Sequence, residues 1–129
     1  MGYGAFMNVV NNRSEPVLLF VTDVDCMFDN GDQGSNLSLF NNAKIAEGSS
    51  LPPGGTEYIE AKASGGCFLA DSKFTLKVED SATQTIIGHV AFDDSGGNWT
   101  YSNDNEDVID VYCNNSGDQA RITVTVEAT

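Results

Sequence analysis

Basic residues are scarce in this chain: six Lys and Arg stand against nineteen Asp and Glu, giving a formal net charge of −13 at pH 7. Such a surface sets carboxylates against phosphates. It excludes DNA and RNA as partners and disfavours purely electrostatic attachment to anionic lipid. Long apolar runs are missing too. The longest, residues 17–21, falls far short of the roughly 20 residues that cross a bilayer as a helix. Helical periodicity is absent, with no window that repeats apolar residues at i, i+3, i+4 and i+7. Residues 1–6 carry neither a positive n-region nor an apolar h-region, so the expected location is cytoplasmic, or secreted without a classical signal peptide.

Imidazole and thiol chemistry is equally thin. His89 is the only histidine and sits among Ile87, Gly88, Val90 and Ala91, in a strand-like segment with no nucleophile-elbow spacing nearby. No Gly-rich phosphate loop precedes a helix, and no pair of carboxylates stands out for glycosidase chemistry. An enzyme is therefore not expected. Cys26, Cys67 and Cys113 make an odd count with no close pair, which excludes a zinc site and makes a poor disulfide framework. Three reduced thiols are expected, with one bridge plus a free thiol as the alternative. Four Asn-x-Ser/Thr sequons, at Asn12, Asn36, Asn98 and Asn114, read as asparagine-rich loops.

What is present is alternation. Residues 73–79 place Phe74, Leu76 and Val78 on one face and Thr75 and Lys77 on the other; residues 120–127 repeat the pattern with Ile122, Val124 and Val126. Further strands are predicted at residues 3–10, 17–22, 56–63, 85–92, 98–101 and 108–113. One more, with a bulge at Asn41-Asn42, is predicted over residues 37–45, and a short one near residues 26–28. Turns fall at Pro52-Pro53-Gly54-Gly55, Gly65-Gly66 and Ser95-Gly96-Gly97. Strands 8–15 residues apart over 129 residues predict one all-β domain, residues 1–129. The expected architecture is a two-sheet antiparallel β-sandwich of about eight or nine strands.

Two regions suggest binding. Asp23, Asp25, Asp29 and Asp32 lie within ten residues with Asn30 and Gly31 among them, an oxygen-rich set of the kind Ca²⁺ uses, although Met27 breaks the EF-hand spacing. Trp99, the only tryptophan, follows a glycine turn with Tyr101 two residues on. A loop aromatic there would stack on a sugar or seat at a membrane interface, whereas a core tryptophan would pin the two sheets. Phe28 and Tyr58 are weaker candidates of the same kind.

The order of features is similar to that of the aegerolysin family. It runs from Asn8-Val9-Val10-Asn11-Asn12 through the loop Phe28-Asp29-Asn30-Gly31-Asp32 to Lys44-Ile45 and a proline turn. Phe74-x-Leu76, Glu79-Asp80, Phe92-Asp93, Trp99-Thr100 and Ile122-Thr123-Val124 follow. The chain departs from the family in having one tryptophan, and in carrying Asp23 to Phe28 where the family has an aromatic-rich segment. The resemblance implies a small acidic β-sandwich that binds membrane lipid, in some members as part of a cytolytic pair with a larger perforin-like protein. Trp99, Tyr101 and Phe28 would then contact lipid, with Asp29, Asn30 and Asp32 at the headgroup. The alternatives are a lectin binding cell-surface glycan, and a structural β-sandwich that binds Ca²⁺.

Overall fold

The computed structural model describes residues 3–29 and 31–128. β6 (Ser72–Asp80) shows how the sequence makes its elements. Ser72, Phe74, Leu76, Val78 and Asp80 are buried, while Lys73, Thr75, Lys77 and Glu79 point outward, so the period-two pattern becomes one core face and one outer face. β10 (Ala120–Val126) buries Ala120, Ile122, Val124 and Val126 in the same way, and β1 (Tyr3–Asn11) buries Ala5, Met7, Val9 and Asn11.

Among the described residues, ten strands form the two sheets of an all-β sandwich. One sheet runs β3 (Ala43–Ile45), β2 (Val17–Asp25), β6, β7 (Ile86–Ser95), β8 (Asn98–Asn103). The other has β1 at its centre. β10 and then β9 (Ile109–Asn114) lie on one side, while β5 (Glu57–Ala61) and the two-residue β4 (Ser50–Leu51) share the opposite edge. Every pairing is antiparallel except β1 with β10, which run parallel from Ala5–Ala120 to Asn11–Val126. That pair joins the first and last strands, so the whole domain serves as its crossover, and no local turn constrains its direction. Between the sheets lies an apolar core built around Trp99, Phe40, Phe74, Phe92 and Met7. Among the described residues no helix is long and apolar enough to cross a membrane.

Two expectations are corrected. Residues 37–45 are not one bulged strand: Leu37–Phe40 forms a 3₁₀ turn and β3 follows. A 3₁₀ turn has three residues per turn, so Leu37 and Phe40 share a face, and both are buried. Asn42 then adopts a left-handed φ of 54°, which asparagine tolerates, at the turn that leads into β3. The cysteines are not all reduced. Cys26 and Cys67 form a disulfide and Cys113 is free. The two bridged residues are 41 positions apart, and pairing brings them together: Met27 bridges Ala61, and the Lys62 amide donates to the Cys26 carbonyl at 2.7 Å. Linear spacing carries no trace of that proximity.

Candidate functional site

One end of the sandwich gathers the end of β2, the segment 26–29, the disulfide-tied turn 62–71, the start of β6 and the β7–β8 turn. Strand register places them there, since Asp25 pairs with Lys73, Ser72 with Asp94 and Ser95 with Asn98. Gly65–Cys67 is a short 3₁₀ turn, and after it Phe68 and Leu69 stand free of the body. Phe68 is 72% exposed and Leu69 89%. Val24, also exposed, lies two residues before Cys26. Leu69 holds a left-handed φ of 64°, a strained conformation for a leucine. Two adjacent apolar side chains are thus presented to solvent by a loop that the disulfide fixes to β2.

Beside this tip is a cavity of about 350 Å³ lined by Lys62, Phe68, Leu69, Asp71, Ser72 and Asp94, among others. Asp94 is almost wholly buried at 3% exposure, and its Oδ1 has no hydrogen-bond partner among the described residues. Burial pushes its carboxyl up to about 6; a hydrogen bond from the Gly97 amide opposes this, and the charges of Asp93 and Asp71 add to the rise. Asp93 is also raised, by burial first and then by the Asp71 carboxylate beside it, against the pull of Lys73. Around this cavity the carboxylates crowd one another.

A second cleft, of about 320 Å³, lies on the outer face of β6, β7 and β8. Thr75, Ala91 and Ser102 are adjacent in register and make a row of small side chains. Asp23, Lys73, Asp93 and Tyr101 border it. Further along the same face, Asp104 accepts the His89 amide at 2.7 Å and contacts His89 Nδ1 at 2.8 Å. The amide hydrogen bond is the main reason that the Asp104 carboxyl lies below its ordinary range.

The residues singled out from sequence fare unevenly. Trp99 is corrected as a ligand contact. It is only 2% exposed and packs edge-on to Phe74 at 6.1 Å, because its place in β8 opposite Asp94 turns it inward. Tyr101, next but one, is 44% exposed and borders the outer cleft. Phe28 is half-buried, with the Lys62 ammonium 5.9 Å from its ring centre. Asp29 accepts the Ser38 amide at 2.7 Å, so its carboxylate serves the 3₁₀ turn. Asn30 and the side chain of Asp32 lie outside the described residues. Tyr101 and the Phe28–Asp29 pair therefore belong to different surfaces.

Of the calcium candidates, the side chain of Asp32 lies outside the described residues. Asp23 and Asp25 are exposed, Asp29 is engaged as a cap, and among the described residues no three His, Cys, Asp or Glu side chains are grouped to hold a metal ion. Phe68, Leu69 and Asp94 went unrecognised. For Phe68 and Leu69 the signal is the short apolar run Cys67-Phe68-Leu69-Ala70, set without alternation between Gly65-Gly66 and Asp71; Asp94 has none. No protein-family model matches the chain, and no curated protein matches it.

Proposed function

We propose that the protein binds the surface of membranes of low net charge, docking through Phe68 and Leu69. The exposure of these two adjacent apolar side chains on a disulfide-held loop carries this reading. An exposed pair of this kind gains nothing in water and loses that penalty in an acyl–headgroup boundary. The net charge of −13, with Asp23, Asp25 and Asp71 near the tip, favours zwitterionic over anionic lipid. Burying both side chains contributes on the order of 4 kcal/mol, roughly a millimolar affinity for one tip. Stable attachment therefore calls for several copies at one membrane, or for a second contact. The likeness to aegerolysins agrees with lipid binding, and a larger perforin-like partner fits such a need. The disulfide supports an exported protein that works in an oxidising compartment.

The test is sedimentation with phosphatidylcholine vesicles, alone and mixed with sphingolipid and sterol, against phosphatidylserine-rich vesicles. The reading expects binding to the neutral mixtures and its loss in the double variant Phe68→Ser/Leu69→Ser. Equal sedimentation of that variant, or none by the native chain, would remove it.

A second reading, glycan binding, is favoured by the outer cleft, where the row of small side chains lies beside the hydrogen-bonding groups of Lys73, Asp93 and Thr100 and Tyr101 borders the cleft. A glycan array with the native chain and Tyr101→Ala separates it from the first, since that variant retains the tip.

A further inference from the structure

The outer surfaces of the two sheets differ in charge. On one sheet, β6 and β7 turn Lys73, Lys77, Glu79, His89 and Asp93 outward. On the other, among the described residues, β5, β1, β10 and β9 together turn out three charged groups, Glu60, Arg121 and Asp110. The chain has nineteen acidic residues and a net charge of −13, yet this face is close to neutral. Arg121 is exposed and belongs to none of the ion pairs among the described residues, which join Arg13 to Asp80, Lys77 to Glu79 and His89 to Asp104.

In place of charge the face carries aromatic rings held in position. Tyr58, Phe6 and Arg121 are neighbours in register across β5, β1 and β10. The Phe6 ring lies 5.4 Å from that of Tyr58 and 5.3 Å from the Arg121 guanidinium. Tyr58 is fixed in turn: its hydroxyl donates to Glu60, and its ring covers Gly4, where a Cβ would collide with it. Tyr112 pairs with Thr123 and is 54% exposed, and its hydroxyl accepts the Asn114 side-chain amide at 2.8 Å. Aromatic residues and arginine are the anchors of protein interfaces, whose centres are depleted of charge. Side chains already ordered in the free chain lose little freedom on binding.

The face is also its own complement. Asp110 is exposed and, like Arg121, lies in none of those ion pairs. Arg121 pairs with Asn114 and Thr125 with Asp110, so Asp110 sits one strand over from Arg121 and four residues along. A two-fold axis midway between them, crossing the strands near Thr123 and Tyr112, brings each Arg121 to Asp110 of a second copy. It also sets the two copies of Tyr112 side by side. Four strands about 4.8 Å apart, with seven residues in β10 at about 3.3 Å each, make a face of about 19 by 23 Å. Two such faces bury on the order of 900 Å², the lower end for a specific interface, so the pairing is weak. We propose that two copies of this chain pair face to face through the outer surface of β1, β10 and β9, with Arg121 of each on Asp110 of the other. A second copy is specified because an isologous contact needs each group to meet its complement twice, as Arg121 and Asp110 do about this axis. It is also the face on which two acidic chains repel least.

This proposal does not depend on membrane docking, and its test contains no vesicles. The native chain is followed by analytical ultracentrifugation in about 0.3 M NaCl, which screens the repulsion between the two net charges. A monomer–dimer equilibrium is expected, half complete at roughly 0.1 mM. Amide shifts on dilution are expected at residues 6–10, 110–114 and 121–125. Arg121→Glu is expected to weaken pairing roughly tenfold or more, and Arg121→Glu/Asp110→Arg to restore it. Lys44→Glu, exposed on β3 of the other sheet, changes the net charge equally and is expected to leave pairing as it is. Tyr112→Ala is expected to weaken pairing several-fold. The dilution series on the native chain needs no variant, so a misfolded variant leaves the proposal open to refutation. A monomer at every concentration up to about 1 mM would overturn it. So would dilution shifts centred on Phe68 and Leu69, equal weakening by Lys44→Glu, or a charge swap that restores nothing.

Discussion

Asp94 and Trp99 are register partners across the β7–β8 hairpin, both are buried, and each holds a polar atom, Oδ1 and Nε1, with no hydrogen-bond partner among the described residues. The tryptophan is thus a core residue with an unmet donor rather than a surface aromatic. Trp99→Phe removes the unmet donor while keeping an aromatic ring against Phe74, so its cost is expected to stay below about 1.5 kcal/mol. Trp99→Ala leaves a large cavity and is expected to cost about 3–5 kcal/mol. Urea unfolding measures both. A cost of less than about 0.5 kcal/mol for Trp99→Ala would return this residue to the surface.

The carboxyl of Asp94 gives the protein a stability term that weakens with rising pH. Its folded pKa of about 6 lies above the ordinary 3.8, so the folded state holds the proton longer than the unfolded chain does. The contribution is complete below 3.8 and lost as pH rises through about 6. Asp93 acts in the same direction. Asp80 and Asp104, whose pKa values are lowered, act oppositely: their contributions hold above the ordinary carboxylate range and vanish as pH falls through the lowered values. Asp94→Asn is therefore expected to stabilise the protein near neutral pH by about 1–2 kcal/mol, or about 4–7 °C in Tm. The gain should shrink on acidification and be gone by about pH 3.5. Thermal melts of both chains across this range check it; a gain that is constant with pH would mean that the carboxyl is not the cause.

Much of the sandwich is legible because burial on one face writes itself into alternate residues. Phe74, Leu76 and Val78 show this in β6, and Ile122, Val124 and Val126 in β10. The 3₁₀ turn at Leu37–Phe40 escaped because Leu37 and Leu39 mimic alternation, whereas the face that packs is Leu37 with Phe40. β4 escaped because two residues carry no period. The site was harder to read, since exposure is a tertiary property. Trp99 and Tyr101 both lie on β8 after a glycine turn, yet Trp99 is core and Tyr101 surface. Phe68 and Leu69 resemble core residues by type, and only the disulfide-fixed turn keeps them outside. Asp94 is one of nineteen acidic residues, and nothing local separates it from its exposed neighbours.

Leu69 links strain to exposure and offers a test in which stability and function move apart. Its left-handed φ of 64° disfavours any residue with a Cβ, while glycine adopts it freely. The side chain is 89% exposed, so its removal forfeits little packing. Leu69→Gly is therefore expected to hold stability level or raise it by up to about 1 kcal/mol. The same change removes half of the apolar tip and is expected to weaken sedimentation with neutral vesicles about thirtyfold, the share of one apolar side chain. Urea midpoints and vesicle binding of this one variant decide the matter. A stabilised variant with unchanged vesicle binding would show that the tip serves another purpose.

The Cys26–Cys67 bridge closes a long loop, and its removal is expected to act on both stability and the tip. Cross-linking residues 41 positions apart restricts the unfolded chain, a contribution of about 2–4 kcal/mol in the loop-entropy account. Cys26→Ser/Cys67→Ser is therefore expected to lower the urea midpoint, with a larger m-value because the unfolded chain is freed to expand. The sheets are held by strand pairing and by a core that excludes both cysteines, so the β-signature in circular dichroism should persist. At the tip, the turn that presents Phe68 and Leu69 loses its tie to β2, and vesicle binding should fall at temperatures where the fold is intact. Non-reducing mass spectrometry first establishes that the native chain carries one bridge and one free thiol, the latter at Cys113, whose thiol burial pushes above its ordinary pKa. A double serine variant with unchanged stability would mean that the bridge merely decorates a loop already fixed by the pairing of Met27 with Ala61.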